Sequence, residues 1–102
     1  MDYANTVETR MSAYVIFQLT VIDQAKLSDY GARALPIVAA HGGRPAATGE
    51  LTVLHESREF ERGAIFEFPD RASALAWHDS SEYRALLSLR SEAMNCSLVL
   101  IG

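Results

Sequence analysis

Apolar positions recur along this chain with two alternating periods, one of two residues and one close to four. "AYVIFQLTV" (13–21) puts Val15, Phe17, Leu19 and Val21 on one face and Tyr14, Ile16, Gln18 and Thr20 on the other. Such alternation among β-branched and aromatic residues predicts a strand with one wholly apolar face and one mixed face. Leu27, Tyr30, Ala34, Ile37, Val38 and His41 then recur at helical spacing behind Asp23, a good N-cap residue. Pro36 removes a backbone donor inside that run, which predicts a kink or a fresh helical start.

The second half repeats the scheme. "RPAATGELTVLHE" (44–56) is a strand region in which Pro45 demands an edge position and Gly49 marks a bulge or bend. A charged connection (57–63) leads to "AIFEF" (64–68), with Ala64, Phe66 and Phe68 on one face and Ile65 and Glu67 on the other. Pro69 stops that strand, and Asp70 caps a helix carrying Ala72, Leu75, Ala76 and Trp77. The pattern breaks at "HDSSEY". Asp79 and Glu82 have capping-box spacing there, with Ser80 as the rival cap. Tyr83, Leu86, Leu87 and Arg90 form the inward stripe of the next piece, Asn95 is a candidate left-handed stop, and "CSLVLIG" (96–102) is the last strand.

Strand, helix, strand, strand, helix, strand is the split βαβ order of an α+β ferredoxin-like fold. It implies a four-stranded antiparallel sheet with both helices on one face and the first and third strands central. The wholly apolar face suits the helices. The other still carries Tyr14, Ile16 and Ile65, with Gln18, Thr20 and Glu67 as its polar members. Exposed, it would be an apolar patch of the kind that marks an interface, so a homodimer packed sheet on sheet is expected.

Length allows one domain: 102 residues, read as a polar arm (1–10) and a compact unit (11–102). Net charge is −4 and the nine Lys and Arg are scattered, which argues against nucleic acid as a partner. No apolar run approaches the ~20 residues of a membrane helix. Residues 1–10 lack a secretory apolar region and Cys96 is alone, so a cytoplasmic location is expected. Neither Cys96 nor the histidines at 41, 55 and 78 have metal-ligand spacing, and no metal or cofactor is expected.

"AAHGGR" after a helix, "EFP" at a strand end, "AW", and then Ser80, Glu82 and Tyr83 resemble a small domain-of-unknown-function family, thirteen-thirty in the usual numbering. The matching positions are His41, Gly42, Gly43 and Arg44, then Glu67, Phe68 and Pro69, then Trp77, Ser80, Glu82 and Tyr83. The resemblance runs from about Met11 to Gly102. Ser81 stands where the family often has proline, and the ten-residue arm is extra. The family resembles the dimeric α/β barrel group, which includes cofactor-independent oxygenases, isomerases, haem-degrading enzymes and proteins without known activity. The resemblance therefore implies architecture more than chemistry.

Among the candidate residues, the glycines of "HGGR" follow a helix rather than precede one. That favours a C-cap over a phosphate loop. Arg44 remains a candidate for holding an anionic group. Glu67, on a central strand, is either a general base whose pKa burial raises or a carboxylate paired with Arg44 or a tyrosine. His41 is the other candidate base. Trp77 and Tyr83 read as core anchors, and Tyr83 needs a partner for its hydroxyl. Two functions fit. One is a small organic molecule bound in a partly apolar cavity lined by some of Tyr14, Gln18, His41, Arg44, Glu67, Trp77 and Tyr83, with cofactor-free proton transfer or oxygenation. The other is a non-catalytic binding or interaction module.

Overall fold

A computed structural model describes residues 12–56 and 60–102. The arm over 1–10, the expected start of the compact unit at Met11 and residues 57–59 of the charged connection lie outside the described residues. The elements run β1 (Ala13–Val21), α1 (Gln24–Ala40), β2 (Arg44–Glu50), β3 (Arg62–Phe68), α2 (Arg71–Asp79), α3 (Ser81–Arg84), α4 (Leu87–Ala93) and β4 (Met94–Ile101). The strands order as β2-β3-β1-β4, and each neighbouring pair is antiparallel. This is the ferredoxin-like α+β fold expected, with Pro45 on an edge.

The two-residue period of β1 decides where the core sits. Val15, Phe17 and Leu19 are buried, and they pack with Tyr30, Ala34 and Val38 of α1, Trp77 of α2 and Tyr83 of α3. Phe68 closes the same cluster, its ring 5.4 Å from that of Trp77. Burying aromatic rings of this size supplies the largest single share of the stability of a small domain.

Several local expectations are corrected. Pro36 neither ends nor restarts α1, which is continuous from Gln24 to Ala40. Pro36 and Ala32 both lie on the exposed side, so the carbonyl that Pro36 leaves without a donor meets water. The bulge in β2 lies between Pro45 and Ala47 rather than at Gly49, and the strand stops at Glu50. β3 begins at Arg62, two residues earlier than expected. On α2 the buried positions are Ala74 and Trp77, while Ala72, Leu75 and Ala76 are exposed. Ser80, not Asp79, caps α3, its Oγ accepting from the Tyr83 amide. Leu87 is more exposed than its place in the inward stripe implied. Asn95 is a strand residue, because α4 passes straight into β4 through an extended Met94.

The "HGG" stretch ends α1 in a Schellman motif. The Gly43 amide donates to the Val38 carbonyl (2.9 Å) and the Gly42 amide to that of Ala39 (3.0 Å). Gly42 supplies the positive φ of 80° that the motif needs. Gly43 is required by space: a methyl there would sit 2.6 Å from the Phe68 ring and 2.7 Å from Val38. Gly43→Ala is therefore expected to destabilise the domain by about 1–3 kcal/mol, the range of an overpacked core, read from urea unfolding.

Candidate functional site

The sheet divides the candidate residues between its two sides. Residues directly opposite in an antiparallel pair share a face. On the side away from the helices the register therefore lines up Arg44, Glu67, Tyr14 and Ile101 across the four strands. The next row is Ala47, Ile65, Ile16 and Val99, apolar from edge to edge, and Gln18 begins the row beyond. Val99 and Ile101 keep 54% and 60% of their exposure. This outer face is a band of aliphatic side chains with a charged cluster at one end.

That cluster is built around Glu67. Its Oε1 accepts from Arg44 Nη2 (2.7 Å) and Nε (3.1 Å). Its Oε2 accepts from Ser12 Oγ (2.8 Å) and Tyr14 Oη (3.4 Å). The bonds from Ser12 and then Arg44 hold the Glu67 carboxyl below the usual carboxylate range, the reverse of the rise that burial was expected to cause. Both oxygens are occupied by donors that favour the anion. Glu67 is thus a paired carboxylate, the second of its two sequence readings. A polar notch of about 210 Å3 adjoins it, lined by Ser12, Gly42, Arg44, Glu67, Phe68 and Pro69.

The helix side of the sheet holds a different cavity. An open cleft of about 290 Å3 lies between α1 and the sheet. Phe17, Phe66 and Met94 line it from the sheet, Tyr30 and Val38 from α1, and Trp77 from α2. Trp77 is 2% exposed. Among the described residues its Nε1 is a buried polar atom without a hydrogen-bond partner. Tyr83 is fully buried behind it, ring centroids 4.5 Å apart, and does not line the cleft. Its hydroxyl oxygen lies 2.7 Å from that of Tyr30 and accepts from Arg90 Nη1 at 3.1 Å. Burial, and then Tyr83, push the Tyr30 phenol well above its ordinary pKa, so it stays protonated.

The seven residues nominated from sequence therefore do not share one cavity. Tyr14, Arg44 and Glu67 meet on the outer face. Gln18 lies on that face beyond the apolar row, and Trp77 and Tyr83 lie across the sheet. His41 caps α1, its Nδ1–H donating to the Ile37 carbonyl (3.0 Å), and lines neither the cleft nor the notch. Sequence reasoning missed Tyr30, Arg90 and Ser12 as site residues. Tyr30 and Arg90 had only helical periodicity to mark them, and that reads as core. Burial raises the Cys96 thiol, which makes it a poor nucleophile. Among the described residues no group of three or more His, Cys, Asp or Glu is placed to hold a metal ion.

The lowered pKa of Glu67 fixes a sign. Its contribution to stability is present above the unfolded value near 4.5 and is lost as pH falls through the lower folded value. Glu67→Gln is expected to lower Tm at neutral pH, and the gap from the parent protein should narrow once pH drops below about 4.5. A gap that stays constant with pH would show that the carboxylate charge is not what stabilises.

Solved structures similar to this chain share its fold at low sequence identity. RPA0582, a protein of unknown function from Rhodopseudomonas palustris, is 15% identical, with a TM-score of 0.75 over 97% of this chain and 88% of that one. SnoaB, a cofactor-independent oxygenase from Streptomyces nogalater, is 12% identical, with a TM-score of 0.66 over 89% and 91% of the two chains. A dimeric ferredoxin-like protein of unknown function from Thermobifida fusca is 13% identical, with a TM-score of 0.62 over 90% and 91%. No curated protein is a significant sequence match. The sequence profile of the domain of unknown function DUF1330 matches residues 12–102, nearly the whole chain, and the protein belongs to that family.

Proposed function

We propose that this protein is a homodimer that binds a small, largely apolar organic molecule in the cleft between α1 and the sheet. The observation that carries the reading is the cleft itself. It is a concave, largely apolar space, and its volume of about 290 Å3 lies near the lower end of small-ligand sites. Gly31 belongs to the lining, and a methyl there would meet nothing within 4 Å, so there is room beside this position of α1.

The dimer part rests on the outer face. The row Ala47, Ile65, Ile16 and Val99 is an aliphatic band that water penalises, and a second copy supplies the same band in return. The Thermobifida fusca relative is described as dimeric. Sheet-on-sheet pairing makes a dimeric α/β barrel and leaves the cleft accessible, because the cleft is on the opposite side. Glu67 and Arg44 then flank the interface as an anchoring ion pair rather than as a catalytic base and an anion holder. Proton transfer or oxygenation at the cleft would need a base, and neither Glu67 nor His41 lines it. Binding is therefore the reading we adopt. One cysteine in 102 residues fits a reducing, cytoplasmic setting.

Native mass spectrometry of the freshly purified protein, followed by denaturation, tests both parts. The expected spectrum is a dimer carrying a reproducible extra mass that denaturation releases. Gly31→Leu fills the cleft and replaces a helical glycine, so it should lose that mass while stability rises by up to about 1 kcal/mol. A bare dimer in repeated preparations would sink the ligand reading. Ile16→Lys places a charge in the aliphatic row and is expected to yield a monomer with an unchanged far-UV spectrum. A dimer unaffected by it would mean that another surface pairs.

A further inference from the structure

The cleft is lined almost wholly by apolar side chains, with Trp77, Tyr30 and Thr48 as the lining residues that carry polar hydrogens. Trp77 Nε1 carries a hydrogen that finds no acceptor among the described residues, although the side chain is 2% exposed. Buried donors are paired in the great majority of cases, and an orphan in a native structure asks for a missing partner.

The second donor follows from counting protons. Tyr30 and Tyr83 bring two hydroxyl hydrogens to a single oxygen–oxygen contact of 2.7 Å. One hydrogen serves that contact and the other is spare. Arg90 donates into the Tyr83 oxygen at 3.1 Å. An oxygen that accepts from a cation is a better donor to its neighbour, since the two bonds polarise each other. That arrangement directs the Tyr83 hydrogen to Tyr30 and leaves the Tyr30 hydrogen over. Tyr30 lines the cleft and Tyr83 does not. Burial keeps the Tyr30 phenol protonated, so the donor persists through the physiological range.

We infer that the molecule bound in the cleft is a compact, mostly apolar compound bearing one hydrogen-bond acceptor, of the carbonyl class, and that Trp77 Nε1 and the Tyr30 hydroxyl are the donors that recognise it. This rests on the cleft being a ligand site. A volume of about 290 Å3 holds roughly ten to fifteen non-hydrogen atoms, at ~20–30 Å3 for each. A purely apolar ligand would leave both donors unpaired, and an acceptor-bearing one satisfies them. A site built around polar groups rejects the analogue that lacks the matching group.

Calorimetric titration with 2-acetylnaphthalene and with 2-isopropenylnaphthalene, which has CH2 in place of the carbonyl oxygen, tests the inference. Desolvation alone favours the hydrocarbon, so the sign of the preference is diagnostic. The expected result is about tenfold tighter binding of the ketone to the parent protein. Trp77→Phe and Tyr30→Phe should each cut that preference several-fold. The carbonyl stretch of bound, carbon-13-labelled ketone should also fall below its value in hexane, a readout on the parent protein that needs no variant to fold. Equal binding of the two probes, a preference untouched in both variants, or a hexane-like stretch would overturn the inference while leaving the cleft as a ligand site. Binding of neither probe would overturn the cleft reading and this inference together.

Discussion

The strict alternation of β1 is the constraint on which the rest depends. A central strand hydrogen-bonded on both edges cannot shift by one residue without exchanging its two faces. Val15, Phe17 and Leu19 leave only one choice for the side that meets the helices. Once it is made, the antiparallel pairings carry the division to both neighbours. Phe66 and Phe68 turn toward the helices, and Ile65 and Glu67 turn away. The two candidate regions are consequences of this split. An ion-pair cluster and an aliphatic band arise on one side, and an aromatic cleft on the other, from residues that alternate along the same strands.

Periodicity made the fold legible. Element order, the edge position of Pro45, the two faces of β1 and the capping glycines all depend on local spacing or on backbone chemistry, and the residues themselves carry that information. Features that depend on where a residue lies around its element were not visible. Pro36 is tolerated because it falls on the solvent side of α1, a fact about the helix's docking rather than its sequence. The bulge between Pro45 and Ala47 has the same character. Without it, strict alternation would turn Ala47 inward and Thr48 outward. With it, Ala47 joins the aliphatic row and Thr48 reaches the cleft.

The candidate site was less legible than the fold because residue type shows chemistry but not which side of a sheet it occupies. Glu67 next to Phe66 and Phe68 looks like a carboxylate forced into an apolar setting. In the folded chain Ser12, Arg44 and Tyr14 converge on it from two other strands and the segment before β1, and these contacts reverse its expected shift. Tyr30 was indistinguishable from a core anchor until its hydroxyl was seen against that of Tyr83, 53 positions away in sequence.

Arg90 shows how a cationic side chain can serve an apolar cleft without lining it. Its guanidinium lies 5.9 Å from the centre of the Tyr83 ring and bonds to that ring's hydroxyl. The charge is thereby partnered at the rear of the aromatic layer, where leaving it unpaired would be costly. The cation and the two phenols form a series in which Arg90 donates to the Tyr83 oxygen, and that oxygen meets the hydroxyl of Tyr30, a residue of the cleft lining. An aromatic layer can thus hold a directed chain of hydrogen bonds while remaining apolar in nearly all its surface.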